Sequence, residues 1–500
     1  MTVDLARVGS RFTGRVLVLG CGGISRAVVP LLLRDMKLDP SKIRVVDFTD
    51  YRSYIADSIA KGVTFEIGRV TRDNLDSFLG ERVGAGDILL DLAWNIDCPT
   101  ILQWCRDHGV RYLNTSVELW DPYYDMHSTH PLDRTLYVRH QNIRRMVESW
   151  PDNGGATAVL EHGANPGLVS HFVKRAIGEI AEAMLREGRA GSAAKFVEGA
   201  LAEGRYNTLA MLTGVKVVHI SERDTQITNE PKRVDEFVNT WSIEGFYEEG
   251  VAPAELGWGT HERWLPHNAH VHDDDDGPCN QIAIAQPGME TWVRSWVPVG
   301  EILGMIIRHG EAYTMSDHLT VWNEDGTAKY RPTVHYAYCP TDAAIMSVHE
   351  LRARNWKMQS QQRLLTDEIV SGRDELGVLV MGHDYKSWWT GSLLSIDESR
   401  AILPGQNATT LQVACSVLAA TAWMIENPNA GVCVPDDLPW SYVLDVAYPY
   451  LGTFHSGPVD WDPLAHRNDL FPGFGNGPLR IDPSDPWQFA NFIIPSPRAV

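Results

Sequence analysis

The chain has 500 residues, of which 44% are hydrophobic and 22% charged, a composition typical of a globular protein with two or three domains. Its 44 basic and 64 acidic residues give a net charge of −20, which excludes a basic surface for nucleic acid. The acidic balance leaves two interpretations open, solubility alone or attraction of cationic small molecules.

The cysteine pattern and the absence of targeting signals indicate a cytoplasmic protein. Seven scattered cysteines include no CxxC pair, which is typical of reduced thiols. The N-terminus lacks the basic-then-apolar layout of a signal peptide. Since no apolar run approaches the ~20 residues of a membrane span, we expect no membrane association.

The N-terminal segment combines a strand, a glycine turn, an apolar helix and a second strand that ends in an acid. Glycines let the backbone approach a pyrophosphate at the helix N-terminus, while the acid binds ribose hydroxyls and repels a 2′-phosphate. This pattern predicts NAD rather than NADP. Ser25 occupies the third glycine position, where we expect it only to loosen helix–strand packing. The predicted cofactor residues of this segment are Gly20, Gly22, Gly23, Ile24 and Asp47.

Residues 14 to about 160 alternate between strand and helix, which predicts a doubly wound parallel sheet with ligands at the carboxyl ends of its strands. Asn95, Asp97 and Glu118 follow such strand ends, and Asn95 and Asp97 are further predicted cofactor residues. The expected fold class is therefore α/β, an N-terminal Rossmann sheet followed by a second α+β domain with a mixed sheet.

The pattern changes after residue 155. A turn at 163–167 opens a helix over 168–185, and an apolar helix over 411–426 ends at an Asn-Pro pair. Strands are predicted at 215–220, 237–242, 281–285, 291–298, 312–321 and 333–337. The predicted domains are 1–160 for NAD, completed by a returning segment at about 400–435, 161–399 for substrate and dimerisation, and 436–500 as a wrapping tail.

Carboxylates and indole rings are concentrated between residues 214 and 264. A carboxylate supplies negative charge and an aromatic face supplies a dry wall, so together they suit an ammonium or iminium ion. Glutamates in solvent and tryptophans in the core are the alternative, and the composition of this stretch does not exclude it. The residues concerned are Glu222, Glu249, Glu255, Trp241, Trp258 and Trp264.

Two further groups contain imidazoles. The loop 267–276 contains three histidines and four aspartates, but all of these come from one polar loop, so a solvated loop is favoured and no metal site is predicted. His309 and Glu311 are either a hydrogen-bonded acid–base pair or a satisfied core histidine beside a glutamate.

Long and unusual sequence strings occur along most of the chain. They are GANPG (163–167), HISERDTQ (219–226), FVNTWSIEGF (237–246), PAELGWGTHERW (253–264), RPTVHYAY (331–338), DELGVL (374–379), NPNAG (427–431) and SDPWQF (484–489). With the glycine turn at Gly20, they resemble the bacterial homospermidine synthases, a family of saccharopine-dehydrogenase-like Rossmann proteins. The resemblance implies a redox-neutral transferase that keeps NAD bound and converts two putrescines to sym-homospermidine and ammonia through imines.

The resemblance also implies roles for individual residues. Trp241 would be the cation–π wall, while Glu222 and Glu249 would bind ammonium groups and move protons. The pocket would be completed by Asn165, His309, Glu311, Glu118 and Asp374. The family pattern places one acid after the strand ending at residue 91, a role that Asn95 or Asp97 would take. The implied assembly is a homodimer, and the use of spermidine as a second donor is left open.

Two other functions compete with this interpretation. A saccharopine- or carboxyspermidine-type NAD(P)-dependent dehydrogenase acts on carboxylated substrates, which require an arginine or lysine clamp. Arg223 is adjacent to Glu222, but neighbouring strand residues point to opposite faces, which favours a substrate without carboxylates. A non-catalytic NAD-binding scaffold would have no use for so many candidate acids in one pocket.

Overall fold

The computed structural model describes residues 3–122, 128–152, 154–273, 277–467 and 481–494. Strands and helices alternate through the N-terminal third of the chain, as expected for a Rossmann sheet. The strands there are β1 (Val16–Leu19), β2 (Ile43–Asp47), β3 (Thr64–Ile67), β4 (Ile88–Asp91), β5 (Arg111–Asn114) and β6 (Ala158–Val159). The helices are α1 (Leu5–Arg11), α2 (Gly23–Arg34), α3 (Ala56–Ala60), α4 (Leu75–Gly80), α5 (Cys98–His108) and α6 (Leu136–Glu148).

The remaining chain is richer in antiparallel strands. Its helices are α7 (Leu168–Arg186), α8 (Ala194–Ala202), α9 (Tyr206–Thr213), α10 (Ile243–Val251), α11 (Glu311–His318), α12 (Asp342–Ala353), α13 (Ile396–Ile402), α14 (Ala408–Glu426) and α15 (Trp440–Ala447). Its strands are β7 (Val217–Asp224), β8 (Ile227–Thr228), β9 (Glu236–Asn239), β10 (Pro253–Gly257), β11 (Ala269–Val271), β12 (Gln281–Pro287), β13 (Trp292–Val297), β14 (Gly300–Met305), β15 (Val321–Trp322), β16 (Ala328–Tyr330), β17 (Thr333–Cys339), β18 (Gln361–Leu364), β19 (Ile369–Ser371), β20 (Arg373–His383), β21 (Lys386–Ser395), β22 (Val432–Cys433), β23 (Thr453–Val459) and β24 (Ile493–Ile494).

The first sheet has seven parallel strands in the order β22-β6-β5-β4-β1-β2-β3. Its central strands β1, β4 and β5 are buried along their whole length, which explains the wholly apolar sequence of β1 and the apolar run 88–90 of β4. The edge strand β22 comes from residues 432–433, so the chain returns to this sheet late in the sequence. This return lies inside the predicted segment at about 400–435, while the predicted domain limits stay predictions.

Helix α14 is the core helix that leads the chain back to the first sheet. In the described ranges it is the one helix long and apolar enough to cross a membrane, and it is 89% buried. It packs against α2 and α15, so its apolar surface is already covered by protein. The expectation that no apolar run approaches the length of a membrane span was therefore wrong for 408–426, although burial explains the composition.

The second sheet is mixed and has eleven strands, with β7 and β17 parallel at its centre and β20 antiparallel to β7. Its register places Tyr338 opposite Glu222 and Asp374 opposite Asp224. Because side chains alternate along a strand, these four residues lie on one face. The other face is covered by β13 and by the segment 481–494.

The strand predicted at 312–321 was wrong, because this segment forms α11. The helix is buried on almost every side between β10 and β17. Apolar and polar residues alternate over 313–316 (Tyr-Thr-Met-Ser), which imitates the period of a strand. His309 consequently precedes a helix and not a strand. The predicted strand over 237–242 stops at Asn239, and α10 begins at Ile243.

Candidate active site

The glycine turn after β1 has the backbone geometry of a phosphate-binding turn. Gly20 has φ +87°, and a Cβ there would come within 2.8 Å of the Leu92 carbonyl oxygen. Gly22 caps the N-terminus of α2 and faces open space, since a Cβ at this position would meet no atom within 4 Å. Ser25 is buried and its Oγ donates to the Gly20 carbonyl at 2.7 Å, so it stabilises the turn and does not loosen it. Ile24 packs on the main core.

Asp47 lies at the carboxyl end of β2, as predicted, and is nearly buried. Its Oδ2 accepts from the Cys21 amide at 2.7 Å and its Oδ1 from the Thr49 amide at 2.8 Å. Each carboxylate oxygen keeps a second lone pair, so both can still accept a ribose hydroxyl. The open Gly22, the N-terminus of α2 and Asp47 together fit a dinucleotide without a 2′-phosphate.

The two other predicted cofactor residues are used in local backbone bonds. Asn95 has φ +63°, and its Oδ1 accepts from the Asp121 amide at 2.7 Å. Asp97 caps α5 by accepting from the Thr100 amide at 3.0 Å. A role toward the cofactor stays a prediction for both residues. Asp91, which sequence reasoning did not select, is buried at the end of β4, and burial raises its pKa to about 7.

Glu222 is the buried carboxylate at the centre of the second sheet's inner face. Its Oε2 accepts from Asn165 Nδ2 at 2.7 Å and also from the Tyr336 hydroxyl. Burial raises the pKa of Glu222 to about 7, although both of these donors oppose the shift. Asn165, in the turn before α7, therefore contacts Glu222, and its role in the pocket stays a prediction.

Two tyrosines that sequence reasoning missed connect the predicted residues. The rings of Tyr336 and Tyr338 stack at 5.1 Å with an 18° interplanar angle. Trp241 Nε1 donates to the Tyr338 hydroxyl at 2.8 Å, and the His309 ring lies 4.4 Å from that of Tyr336. The string HYAY carried the signal, since alternate residues of a strand share a face, but the neighbouring strand was unknown.

His309 is hydrogen-bonded on both ring nitrogens, which supports the acid–base interpretation over a simple core histidine. Its Nε2 lies 2.9 Å from Glu249 Oε2, and its Nδ1 lies 3.2 Å from Glu311 Oε1. Burial alone would lower the imidazole pKa, but the charges of Glu249 and Glu311 outweigh it and raise the pKa well above 6.5. The ring is therefore an imidazolium between two carboxylates.

Glu118 and Glu248 form a further buried acidic pair beside this group. Ser116 Oγ donates to Glu118 Oε1 at 2.8 Å, while Glu118 Oε2 has no partner in the described ranges. Burial and the charge of Glu248 raise the pKa of Glu118 to about 8. Glu248, which the sequence did not indicate, is held by Arg139 at 2.6 Å and by Arg308.

Asp374 lies deeper, beside Asp224, and both side chains are fully buried. Thr409 Oγ1 donates to Asp374 Oδ2 at 2.8 Å. Burial, followed by the charges of Glu222 and Asp224, raises the pKa of Asp374 well above its ordinary range. Thr410, the next residue of α14, lies 3.2 Å from the position of a Cβ on Gly23. The start of α14 thus bridges the glycine turn and the acidic cluster.

The histidine- and aspartate-rich loop lies apart from these contacts. His272 is buried and stacks on Tyr137 at 4.2 Å, while residues 274–276 lie outside the described residues. Within the described ranges, no group of three or more His, Cys, Asp or Glu side chains is arranged to hold a metal ion. The structure therefore brings together most of the predicted catalytic residues, but not this loop.

The arrangement resembles known enzymes along the whole chain. The saccharopine dehydrogenase NADP binding domain matches residues 16–159 and the saccharopine dehydrogenase C-terminal domain matches residues 163–457. A homospermidine synthase of Blastochloris viridis is 43% identical over 489 residues, covering 97% of this chain and 98% of that protein. The chain belongs to the homospermidine synthase family. A Mesorhizobium japonicum homospermidine synthase is 39% identical, again over 97% of this chain and 98% of that protein.

A solved homospermidine synthase has the same fold. The crystal structure of the Legionella pneumophila protein in complex with NAD superposes with a TM-score of 0.84 at 36% identity, covering 97% of this chain and 98% of that chain. The family membership and the α/β fold class predicted from the sequence are thereby confirmed. The roles of individual site residues stay predictions.

Proposed function

We propose that the protein transfers the aminobutyl group of one putrescine to a second putrescine, releasing sym-homospermidine and ammonia with no net redox change. The observation that carries the proposal is the contact chain from Asn165 through Glu222, Tyr336 and Tyr338 to Trp241. It places a buried carboxylate and a fixed indole ring in one site, which suits a cationic amine. Full-length identity to homospermidine synthases supports the same reaction.

We assign NAD as the cofactor, held by the glycine turn, the N-terminus of α2 and Asp47. The matching N-terminal domain is named for NADP. The carboxylate at the end of β2 nevertheless disfavours a 2′-phosphate, and the Legionella relative was crystallised in complex with NAD. When bound, NAD supplies a hydride acceptor for the first putrescine and returns that hydride to the final imine. The start of α14 brings this site next to the acidic cluster.

The carboxylates of the site bind the ammonium groups and move protons. Oxidation of the first amine leaves an imine carbon, and the second diamine's nitrogen must lose a proton before it bonds to that carbon. The original carbon–nitrogen bond then breaks, and its nitrogen takes up a proton and leaves as ammonia. Glu222 and Glu118, with pKa values near 7 and 8, can accept and return protons at neutral pH.

Trp241 stabilises the cationic intermediates through its ring. Its Nε1 is fixed by Tyr338, and Phe246 supports the ring at a centroid distance of 5.3 Å. An indole face held in this way attracts an iminium or ammonium ion, and the surrounding rings exclude water. Exclusion of water matters because water would hydrolyse the imine.

The arginines near the site support a substrate without carboxylates. Arg139 and Arg308 both pair with Glu248. Arg139 also donates to the Val117 carbonyl at 2.7 Å and Arg308 to the Arg134 carbonyl at 2.8 Å, so both guanidinium groups are engaged within the protein. Arg223 lies on the opposite face from Glu222 and pairs with Asp342 at 2.8 Å. A saccharopine-type substrate would require one of these guanidinium groups to be available for its carboxylate.

We propose a homodimer as the assembly. Apolar side chains exposed around β8, β19 and α12 support an interface, namely those of Ile227, Val234, Met346 and Val370. Light scattering should give twice the mass of the single chain, and a monomer would contradict this assignment. A cytoplasmic location and the use of spermidine as a second donor stay predictions.

The reaction is tested by incubating purified protein with putrescine and NAD⁺ while following NADH absorbance and analysing products by mass spectrometry. Homospermidine and ammonia without accumulation of NADH would support the transferase. Stoichiometric NADH with an aldehyde would indicate a diamine dehydrogenase, and turnover only with a carboxylated amine would favour the saccharopine-type alternative.

A further inference from the structure

Glu161 is a buried carboxylate that lies behind the predicted catalytic residues, just after β6 at the carboxyl edge of the first sheet. Its backbone has φ +56°, which is uncommon for a residue with a side chain, and its amide donates to Asn114 Oδ1 at 2.7 Å. Its side chain is 2% exposed, and its Oε2 lies 2.8 Å from Nε2 of His140 on α6. The first sheet and α6 therefore hold this carboxylate in place.

The same carboxylate lies against Gly310, the residue between His309 and Glu311. A Cβ at position 310 would come within 1.7 Å of Glu161 Oε2, so this close approach requires glycine. Gly310 is also the N-cap of α11, where the helix dipole favours a negative charge. Glu161 thus joins the edge of the first sheet to the segment that carries two predicted catalytic residues.

The charges around His309 come from several elements. Glu249 on α10 and Glu311 on α11 bond to the ring, Tyr336 on β17 contacts it, and the carboxylate of Glu222 on β7 acts on it. The neighbouring Arg308 pairs with Glu248, which also binds Arg139.

Glu161 adds a further carboxylate to this set. Burial alone would raise its pKa, but His140 and then His309 lower it, and the net shift is downward. Glu161 is therefore ionised, and its charge and that of His309 act on each other through space.

We propose that Glu161, held by His140, is a positioning residue that fixes the 309–311 segment against the first sheet and stabilises the imidazolium of His309. The inference rests on the proposed function, because His309 is assigned to the pocket of that reaction. Its consequence is specific: removal of the Glu161 charge should make the His309 imidazolium a stronger acid.

The test compares wild-type protein with Glu161→Gln, which keeps the shape of the side chain and loses its charge. Ring resonances of protein labelled with ¹⁵N-histidine, assigned with His309→Gln, give the His309 pKa without turnover. We expect that pKa to fall by about one pH unit, the lower end of the ~1–3 units that a nearby opposite charge contributes. The kcat for homospermidine should fall about tenfold or more, while the KM for putrescine changes little.

Two further variants make the result decisive. His140→Gln removes the partner that lowers the pKa of Glu161, so burial should leave Glu161 protonated and the pKa of His309 should fall by a smaller amount. This variant covers the case in which Glu161→Gln does not fold. Glu255→Gln removes another fully buried glutamate, which accepts from the Leu136 amide at the start of α6, and should leave the His309 titration unchanged.

An unchanged His309 titration in folded Glu161→Gln, or in His140→Gln if the first variant does not fold, would overturn the inference. Failure of wild-type protein to make homospermidine would instead contradict the proposed function, and the titration would still decide the role of Glu161.

Discussion

Replacement of Glu222 by glutamine should abolish activity and stabilise the protein at alkaline pH. Both donors to Glu222, Asn165 Nδ2 and the Tyr336 hydroxyl, converge on one oxygen, which the glutamine carbonyl can replace. The variant therefore keeps these hydrogen bonds but loses the charge. Because proton transfer by a positioned carboxyl is worth 10²–10⁴-fold, we expect kcat to fall at least ~100-fold.

The stability change follows from the raised pKa of Glu222. A rise from the ordinary value of 4.5 to about 7 corresponds to about 3 kcal/mol against the ionised form in the folded state. Below pH 4.5 Glu222 is protonated in both the folded and the unfolded chain, so its burial does not lower the free energy of unfolding. The cost grows between pH 4.5 and 7 and is constant above pH 7. Glutamine never ionises, so the variant avoids it.

The assay is thermal unfolding of wild type and Glu222→Gln at pH values from 5 to 9. The unfolding temperature of the variant should rise by several degrees relative to wild type between pH 5 and 7, and the difference should then stay constant up to pH 9. Glu375→Gln is the matched control, because Glu375 is equally buried on β20 but accepts from the Val299 amide and pairs with Arg373. Loss of the Glu375 carboxylate should destabilise the protein throughout this pH range. A pH-independent difference between wild type and Glu222→Gln would refute the reasoning.

Substitutions at three further positions test the cofactor turn and the aromatic wall. Trp241→Phe should keep partial activity and Trp241→Ala should lose most of it, because a cation–π contact is worth about 0.5–2 kcal/mol; equal kcat/KM in all three proteins would remove Trp241 from the mechanism. Asp47→Ser should raise the KM for NAD about tenfold or more and improve the use of NADP, and steady-state kinetics with an unchanged preference would contradict this role of the carboxylate. In Gly23→Ala the new Cβ would lie 3.2 Å from Thr410 Cγ2 and should separate α2 from α14. We therefore expect weaker NAD binding in a fluorescence titration, whereas unchanged affinity would show that close packing of α2 on α14 is not required.

Local sequence rules predicted the features that depend on residues close together in the chain. The glycine turn at Gly20 and the acid at the end of β2 follow a short spacing between strand and helix. Alternation along one strand also explains why Glu222 faces inward and Arg223 outward. These parts of the fold could be predicted from periodicity and turn chemistry alone.

The residues that were missed depend on strand order and on contacts between distant segments. Tyr336 reaches Glu222 only because β17 pairs with β7, and Glu161 reaches Gly310 across about 150 positions of sequence. Helix α11 was predicted as a strand because apolar and polar residues alternate over 313–316, and its polar side chains are buried by distant segments. Grouping of the acids from the sequence relied on family resemblance, and their catalytic roles stay predictions until variants are assayed.

The most direct test of a redox-neutral transfer uses putrescine that carries deuterium on both carbons next to nitrogen, with excess unlabelled NADH in solution. Return of the same hydride to the same carbon predicts homospermidine that retains every deuterium of its two precursors. Replacement of one deuterium per product molecule by hydrogen would show that reduction uses NADH from solution. That result would contradict an account in which one bound cofactor serves both halves of the reaction.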